Sequence, residues 1–239
     1  MRVKAVLFDL FDTLLLIEVG DAFYPSSLRR LHEFLAKNDV KVRLEDFERV
    51  YFEVREKILS ESRRTLEEPH FNLRVSQTLK KLGYNLNTSD PIVIGATMAF
   101  ADEFMRHVSL DPDAFNVLRA LHEKYRLGLV SNFGIPECAW KLLEEFHLKR
   151  FLDVVIISSE VNRRKPSPEI YEKALKALSI EPSEAVFVGD SLDLDVMGPK
   201  NVGMRTVLIK KRPVHEIADI KPDRVIDRLS ELPALLEDL

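Results

Sequence analysis

Two patterns of hydrophobic and polar positions alternate along much of the chain. Short runs of apolar, often β-branched residues predict strands that are buried on both faces of a parallel sheet. These runs are Val3–Phe8, Leu127–Val130, Val154–Ile157, Ala185–Val188 and Thr206–Ile209. Amphipathic helical stretches lie between them, and two of these begin with a capping residue followed by proline, at Asp111-Pro112 and at Ser167-Pro168. The alternation predicts a doubly wound, Rossmann-like α/β core.

Residues 17–107 follow a different pattern, because helical periodicity continues there without any strand. Four helices are predicted, over Ser26–Lys37, Leu44–Ser60, Phe71–Leu82 and Pro91–His107. We therefore expect a helical cap, similar to a four-helix bundle, inserted after the first strand. The predicted division is a core of residues 1–16 and 108–239 and a cap of residues 17–107.

Composition narrows the classes of protein to consider. The chain has 239 residues, of which 46% are hydrophobic and 31% charged, with a formal net charge of -4, as expected for a soluble globular protein. Nothing in this balance favours nucleic acid, and the apolar runs are too short to cross a bilayer. The single cysteine, Cys138, excludes an internal disulfide, so a cytoplasmic protein is expected, either a monomer or a homodimer.

Polar residues follow four of the predicted strands or the loops after them. They are Asp9 to Thr13, the pair Ser131 and Asn132, then Lys165, and finally the sequence GDSLDLD of Gly189 to Asp195. In parallel α/β sheets ligands bind beyond the carboxyl ends of the strands, so these groups are expected at one edge. A carboxylate, a hydroxyl, an ammonium and an acidic pair are thereby brought together.

This set of groups suits phosphoryl transfer. A carboxylate attacks phosphorus only when its repulsion with the phosphate is cancelled, which a lysine and Mg²⁺ achieve together. Magnesium takes hard oxygen ligands, typically one or two carboxylates with water and substrate phosphate. Asp9 and Asp190 are the predicted carboxylate pair for the ion.

Four segments carry a resemblance to a known family. The sequences FDLFDTLL, LGLVSN, RRKPSPEIYEKAL and VGDSLDLDVMGPKNVGM resemble, in this order, the four motifs of the haloacid dehalogenase-like hydrolases, in the subfamily with a helical cap between the first two motifs. Each motif alone is weak, but four in order at suitable spacing are specific.

The resemblance implies catalytic roles for four residues. Asp9 corresponds to the covalent nucleophile, and Lys165 to the group that neutralises the nucleophile and the phosphate. Thr13 and Ser131 correspond to residues that contact the transferring group. Ser131, Asn132 and Lys165 are the expected substrate-binding residues.

It also implies a Mg²⁺ site. Asp9, Asp190 and the backbone carbonyl of Phe11 correspond to metal ligands, and Asp195 to a residue that supports the metal site directly or through a ligand. Asp12 is expected to stabilise its loop, and Asp193 to lie at the surface.

Phe11 departs from the phosphatase pattern, in which this position normally carries a second aspartate that protonates the leaving oxygen and activates water. Dehalogenases of the family carry an aromatic residue here, since displacement of halide from carbon needs neither a proton nor a metal. They also use a cap arginine, and the cap here has eight arginines that the sequence does not distinguish: Arg29, Arg30, Arg43, Arg49, Arg55, Arg63, Arg64 and Arg74.

Asp190 decides the main prediction, because a metal-free site has no use for this carboxylate and its burial beside Asp9 would be unfavourable without a cation. We therefore expect a slow or selective Mg²⁺-dependent phosphatase that acts on a small phosphorylated metabolite through an aspartyl phosphate on Asp9. Two alternatives stay open: a metal-independent 2-haloacid dehalogenase, and a protein that binds a phosphorylated metabolite without turnover.

Overall fold

A computed structural model describes residues 2–17, 23–211 and 221–239, and within these ranges the chain forms two sheets. The strands are β1 (Ala5–Phe8), β2 (Leu15–Ile17), β3 (Val108–Leu110), β4 (Arg126–Ser131), β5 (Val154–Ile157), β6 (Ala185–Gly189), β7 (Arg205–Ile209) and β8 (Arg224–Ile226). The main sheet has the order β5-β4-β1-β6-β7-β8, and all of its strands are parallel.

Ten α-helices accompany the strands of the described ranges: α1 (Phe23–Lys37), α2 (Leu44–Thr65), α3 (Asn72–Lys81), α4 (Pro91–Met105), α5 (Ala114–His122), α6 (Pro136–Glu145), α7 (Ser158–Val161), α8 (Pro168–Leu178), α9 (Gly198–Asn201) and α10 (Leu232–Glu237). Short 3-10 turns and one π-helical turn, Leu192–Met197, connect some of them. The predicted α/β fold with a Rossmann-like parallel sheet is confirmed.

The central strand β1 shows why the sheet forms as predicted. All four of its residues are buried, with Val6 and Phe8 in the apolar cluster on one face and Ala5 and Leu7 in the cluster on the other. Leu118 of α5 belongs to the first cluster and Leu175 of α8 to the second. Helices therefore cover both faces, which explains the continuous apolar runs of the strands.

The helices α1 to α4, called the helical insert below, share one apolar cluster that includes Leu31, Tyr51, Leu79 and Phe100. Helix α1 packs along α4, and α2 along α3. The strands β2 and β3 pair antiparallel, with Leu15 opposite Leu110, where the chain leaves the core and returns to it. This ribbon lies at the predicted domain boundaries of residues 16/17 and 107/108, and the division itself stays a prediction.

Several contacts fasten the segment between α2 and α3 to the core. The amide of Phe71 donates a hydrogen bond of 2.8 Å to the carbonyl of Gly134. Ion pairs join the insert to the core at Glu67–Arg163, 3.4 Å, at Glu68–Arg164, 3.5 Å, at His70–Glu137, 3.1 Å, and at Asp102–Lys141, 2.9 Å. The insert therefore contacts the loop after β4, helix α6, and the segment that follows α7.

Some local predictions were wrong. Ser167 precedes α8 as predicted, but its side chain makes no capping hydrogen bond. Asp111 was predicted to begin the helix, but α5 begins at Ala114 and ends at His122, and Oδ1 of Asp111 accepts a hydrogen bond from the Asp113 amide at 2.9 Å. The three-residue strands β2, β3 and β8 were not predicted, because so few residues carry no readable periodicity. In the described ranges, no helix has both the length and the apolar character needed to span a bilayer.

Candidate active site

A buried ionic cluster lies at the carboxyl edge of the main sheet. Asp9 directly follows β1, and its amide donates to the carbonyl of Val188 in β6 at 2.9 Å. The Lys165 ammonium donates to Oδ1 of Asp9 at 2.6 Å and to Oδ1 of Asp195 at 2.7 Å. Lys165 and Asp195 are each only 1% exposed and Asp9 is 8% exposed. The short distances and low exposure make this cluster the most tightly coupled ionic group described in the chain.

Asn132 holds the backbone that carries the ammonium. Its Oδ1 accepts a hydrogen bond from the Lys165 amide at 2.7 Å, and its Nδ2 donates to the Lys165 carbonyl at 3.0 Å. The peptide bond between Lys165 and Pro166 is cis. Asn132 was predicted to bind substrate, and the structure shows that its amide group is engaged by Lys165.

Gly189 allows Asp195 to approach the end of β6. A Cβ atom at Gly189 would lie 2.4 Å from Cγ of Asp195, so a larger residue there would displace the carboxylate. The π-helical turn carries Asp195 back toward the strand, where its Oδ2 accepts from the Ser191 amide at 3.0 Å. Both oxygens of Asp195 are therefore engaged by protein groups.

Three carboxylates meet beside this lysine. One oxygen from each of Asp9, Asp190 and Asp195 lies within 4.8 Å of the others. Burial raises the pKa of Asp9 to about 6, although Lys165 lowers it. Burial and the neighbouring Asp9 and Asp195 raise the pKa of Asp190 to about 8. Burial lowers the pKa of Lys165, but Asp195 and Asp9 outweigh it and hold the pKa above its ordinary value.

The donor set fits a divalent cation. Three carboxylates lie close together here, and the pKa values of two of them, Asp9 and Asp190, are raised. The single ammonium of Lys165 therefore balances the negative charge of the site only in part. Hard oxygen ligands of this kind suit Mg²⁺, which would hold the carboxyl groups deprotonated. Asp195, with both oxygens engaged, is better placed to orient the others than to bind an ion.

Thr13 and Ser131 lie at the same edge of the sheet. Thr13 is fully buried, and its hydroxyl has no hydrogen-bond partner among the residues described. Ser131 ends β4 and is 1% exposed. Asp12 has a left-handed backbone with φ of 55°, and its Oδ1 accepts from the Ile17 amide at 3.3 Å, in keeping with the predicted role in the loop. Asp193 is exposed, as expected.

The Phe11 side chain belongs to an aromatic cavity rather than to the ionic cluster. Its ring centroid lies 5.6 Å from that of Phe104 and 4.8 Å from that of Phe133. These rings line a cavity of about 340 Å³ between the helical insert and the core. Asn132, whose amide group holds Lys165, also lines the cavity, which therefore begins beside the ionic cluster.

Three charged residues that line this cavity were not singled out from the sequence: Glu68, Arg74 and Arg164. Arg74 was only one of eight cap arginines, Arg164 lay in the third motif but received no role there, and Glu68 lay in no motif. The tertiary packing of α3 against α1 and α2 distinguishes Arg74, because it donates to the hydroxyls of Tyr24 at 3.1 Å and Tyr51 at 3.4 Å. No short-range pattern in the sequence reports such a contact.

Comparisons with known proteins identify relatives in sequence and in fold. The chain is 31% identical, over 99% of its length and 98% of the relative's, to a glyceraldehyde 3-phosphate phosphatase of Methanopyrus kandleri. Its fold resembles that of a 2-haloacid dehalogenase from Pseudomonas syringae, with a TM-score of 0.78, 23% identity and 99% of both chains covered. A HAD phosphatase from Thermococcus onnurineus gives a TM-score of 0.66 at 27% identity, with 98% of both chains covered.

A family model matches most of the chain as well. Residues 3–203 match the model described as haloacid dehalogenase-like hydrolase, and this range contains three of the four sequence motifs, all but the last residue of the fourth, the helical insert and the ionic cluster. The predicted family resemblance is confirmed. The chain belongs to the haloacid dehalogenase-like hydrolases.

Proposed function

We propose that the protein is a Mg²⁺-dependent phosphatase that hydrolyses a small phosphorylated metabolite, with Asp9 as the nucleophile. The observation that carries this proposal is the buried Lys165 ammonium between Asp9 and Asp195, with Asp190 beside them. The phosphatase names of relatives such as that of Methanopyrus kandleri support the same reaction class. The fold likeness to a dehalogenase carries no activity of its own at 23% identity.

The residues perform the transfer in two displacements. An oxygen of Asp9 attacks phosphorus, the bond between phosphorus and the ester oxygen breaks, and an aspartyl phosphate forms. Water then attacks this phosphorus, releasing inorganic phosphate and restoring the Asp9 carboxylate. Lys165 reduces the repulsion between Asp9 and the phosphate, and Thr13 supplies an unpartnered hydroxyl for a phosphoryl oxygen.

Mg²⁺, held by Asp9, Asp190 and the Phe11 carbonyl, would neutralise the charge that develops on the phosphoryl oxygens. The Phe11 side chain offers no proton to the departing oxygen, which takes its proton from water. General acid and base groups typically contribute about 10²- to 10⁴-fold to rate. We therefore expect slow turnover that depends strongly on the leaving group.

An aryl phosphate assay tests this proposal. Phosphate release from 4-nitrophenyl phosphate should require Mg²⁺, stop with a chelator, and fall at least about 10³-fold in Asp9→Asn. Asp193→Asn is the matched control, because Asp193 is exposed on the adjacent turn, and it should retain wild-type turnover. Equal turnover in Asp9→Asn and the wild type would contradict the proposal.

A dehalogenase is the second candidate, favoured only by the aromatic residue at position 11. The test is chloride release from 2-chloropropionate with and without chelator, and equal release in both would overturn the phosphatase proposal.

The third candidate is a protein that binds a phosphorylated metabolite without turnover. Incubation with acetyl phosphate and Mg²⁺ distinguishes it from an active phosphatase. A phosphoenzyme that forms on Asp9 and is never hydrolysed would indicate a binding protein without turnover.

A further inference from the structure

The cavity between the helical insert and the core has an apolar lining and a charged end. Phenylalanine rings from both parts form much of its wall, namely Phe11, Phe23, Phe71, Phe100, Phe104 and Phe133. Phe11 and Asn132 connect this wall to the ionic cluster at the sheet edge. A substrate with its phosphate at Asp9 would therefore extend its leaving group into an aromatic environment.

Arg74 contributes a positive charge to this cavity. Its guanidinium lies over the ring of Phe71, with Cζ 4.9 Å from the ring centroid, and its Nη1 donates to the Tyr24 and Tyr51 hydroxyls. Its Nε is shielded from solvent and has no hydrogen-bond partner among the residues described. Burial raises the pKa of the Tyr51 phenol, so this partner of the guanidinium stays neutral.

The charges around the cavity do not balance. Glu68 is the carboxylate among the described lining residues, and it pairs with Arg164 at 3.5 Å. No described carboxylate lies within ion-pair distance of Arg74. Among the described lining residues, two guanidiniums therefore share one carboxylate in a largely apolar enclosure, where an uncompensated charge is unfavourable. A bound anion would relieve this imbalance.

We propose that Arg74 binds a carboxylate on the substrate's leaving group, and that the preferred substrate is a phosphate monoester with an unsaturated or aromatic body between the phosphate and this carboxylate. The inference rests on the proposed phosphatase function and specifies its substrate class. A cavity of about 340 Å³ lies at the small end of the range for ligand pockets, which suits a body of one ring. A polar triose would leave the phenylalanine rings without apolar contact.

Paired substrates test the role of Arg74. The wild type should have a kcat/KM for 3- or 4-carboxyphenyl phosphate about 10- to 100-fold above that for phenyl phosphate, the effect of a charge-assisted hydrogen bond. Arg74→Met should abolish this preference, and the loss should appear as a higher KM for the carboxylated substrate. The ratio between the two proteins cancels any difference in intrinsic reactivity of the substrates. Glyceraldehyde 3-phosphate should be the poorer substrate.

Arg55 provides the matched control. It lies on α2, and its guanidinium stacks over the ring of Tyr24 at 5.1 Å, but it is not among the residues that line the cavity. Arg55→Met should keep the full preference for the carboxylated substrate. Arg74→Lys, which retains charge but loses the fork-shaped donor group, should keep an intermediate preference and guards against misfolding of the methionine variant. Equal preference in Arg74→Met and the wild type would overturn the proposal.

Binding separates this inference from the phosphatase proposal. Even without phosphatase turnover, calorimetry can compare the affinities of the cavity for benzoate and for its neutral analogue benzamide. Benzoate should bind more tightly than benzamide to the wild type and no more tightly to Arg74→Met. Turnover without a preference for the carboxylated substrate would leave the phosphatase proposal standing and remove only the assignment of Arg74.

Discussion

The sheet edge and the aromatic cavity are neighbouring regions that differ in the kind of side chain they contain and in what holds those side chains in place. At the sheet edge, Lys165 donates hydrogen bonds to Asp9 and Asp195, and one carboxylate oxygen of Asp190 lies within 4.8 Å of one oxygen of each of these aspartates. In the cavity, aromatic rings surround one guanidinium, that of Arg74, whose closest partners are neutral phenols. The first region is dense in charge and fixed by backbone hydrogen bonds, and the second is apolar and fixed by side-chain packing.

This difference suggests a division between the groups that act on the phosphate and the groups that contact the rest of the substrate. Under the proposed function, the groups that take part in phosphoryl transfer lie at the sheet edge, where the backbone limits their movement. The groups proposed to contact the variable part of the substrate lie largely on helices of the insert. Phe11 belongs to both regions, since its backbone lies in the loop after β1 and its ring lines the cavity.

Removal of the Lys165 ammonium should have the largest effect of the variants considered, and this effect should be confined to the sheet edge. Lys165→Met leaves Asp9 and Asp195 buried without their shared cation, and we expect kcat to fall about 10³-fold, as for loss of a main electrostatic contact. Steady-state kinetics and benzoate binding measure the two regions separately. Lys173→Met, an exposed position on α8, is the control. Loss of benzoate affinity in Lys165→Met would show that the regions are not separable.

Displacement of Asp195 should have the next largest effect. Gly189→Ala places a Cβ about where Asp195 now lies, and misplacement by about 1 Å can reduce rate about 10²-fold. Gly128→Ala is the comparison, because its Cβ would meet the apolar side chains of Val154 and Leu7 at 3.0 and 3.2 Å, and its nearest contacts include no residue of the ionic cluster. The first variant should lose kcat, and the second should lose thermal stability with kcat retained.

A substitution at Phe11 tests both regions at once, because its backbone lies near the sheet edge and its ring lines the cavity. Phe11→Asp supplies the missing proton donor and should raise phosphatase kcat about tenfold, less than a fully positioned acid would give. It also removes a ring that contacts Phe104 and Phe133, so KM for phenyl phosphate should rise. Phe11→Leu separates the two effects, since it should raise KM without raising kcat. An unchanged kcat in Phe11→Asp would show that proton transfer does not limit turnover.

The smallest effect concerns stability. The pKa of Asp190 is raised to about 8 by burial and by two carboxylates, so without metal the folded state prefers its protonated form. The stability contributed by that proton is complete below the ordinary pKa near 4 and is lost as pH rises toward 8. In a chelator, Asp190→Asn should therefore melt several degrees above the wild type at pH 7.5 and close to it at pH 4.5. In excess Mg²⁺, the wild type should instead have the higher melting temperature, because the ion binds its Asp190 carboxylate.

Much of this organisation could be predicted from sequence because its signals are local. The buried strands appear as apolar runs, and parallel topology brings the polar residues after them to one edge, as seen for Asp9, Lys165 and Asp190. The helices of the insert follow from periodicity, with ends shifted by a few residues. The family is confirmed by the match over residues 3–203, whereas the roles of the individual site residues stay predictions.

The parts that were missed depend on contacts between distant segments. The hydrogen bonds of Asn132 join residues 33 positions apart, and nothing near Asn132 indicates that it holds Lys165. Arg74 became distinguishable only when α3 packed against Tyr24 and Tyr51. Such side-chain placement is decided by the whole packed interior, so neither a local pattern nor a motif could report it.

The ion pairs between the insert and the core bear on how firmly these two parts of the chain are held together. Glu67, Glu68 and Asp102 of the insert each pair with a basic residue of the core, and the Glu68 pair borders the cavity that both parts line. Pairs of this kind are individually weak, and dissolved ions screen those that face water. Raising the salt concentration should accordingly weaken the contact between the insert and the core, while the buried ion pairs of Lys165 at the sheet edge should be affected much less.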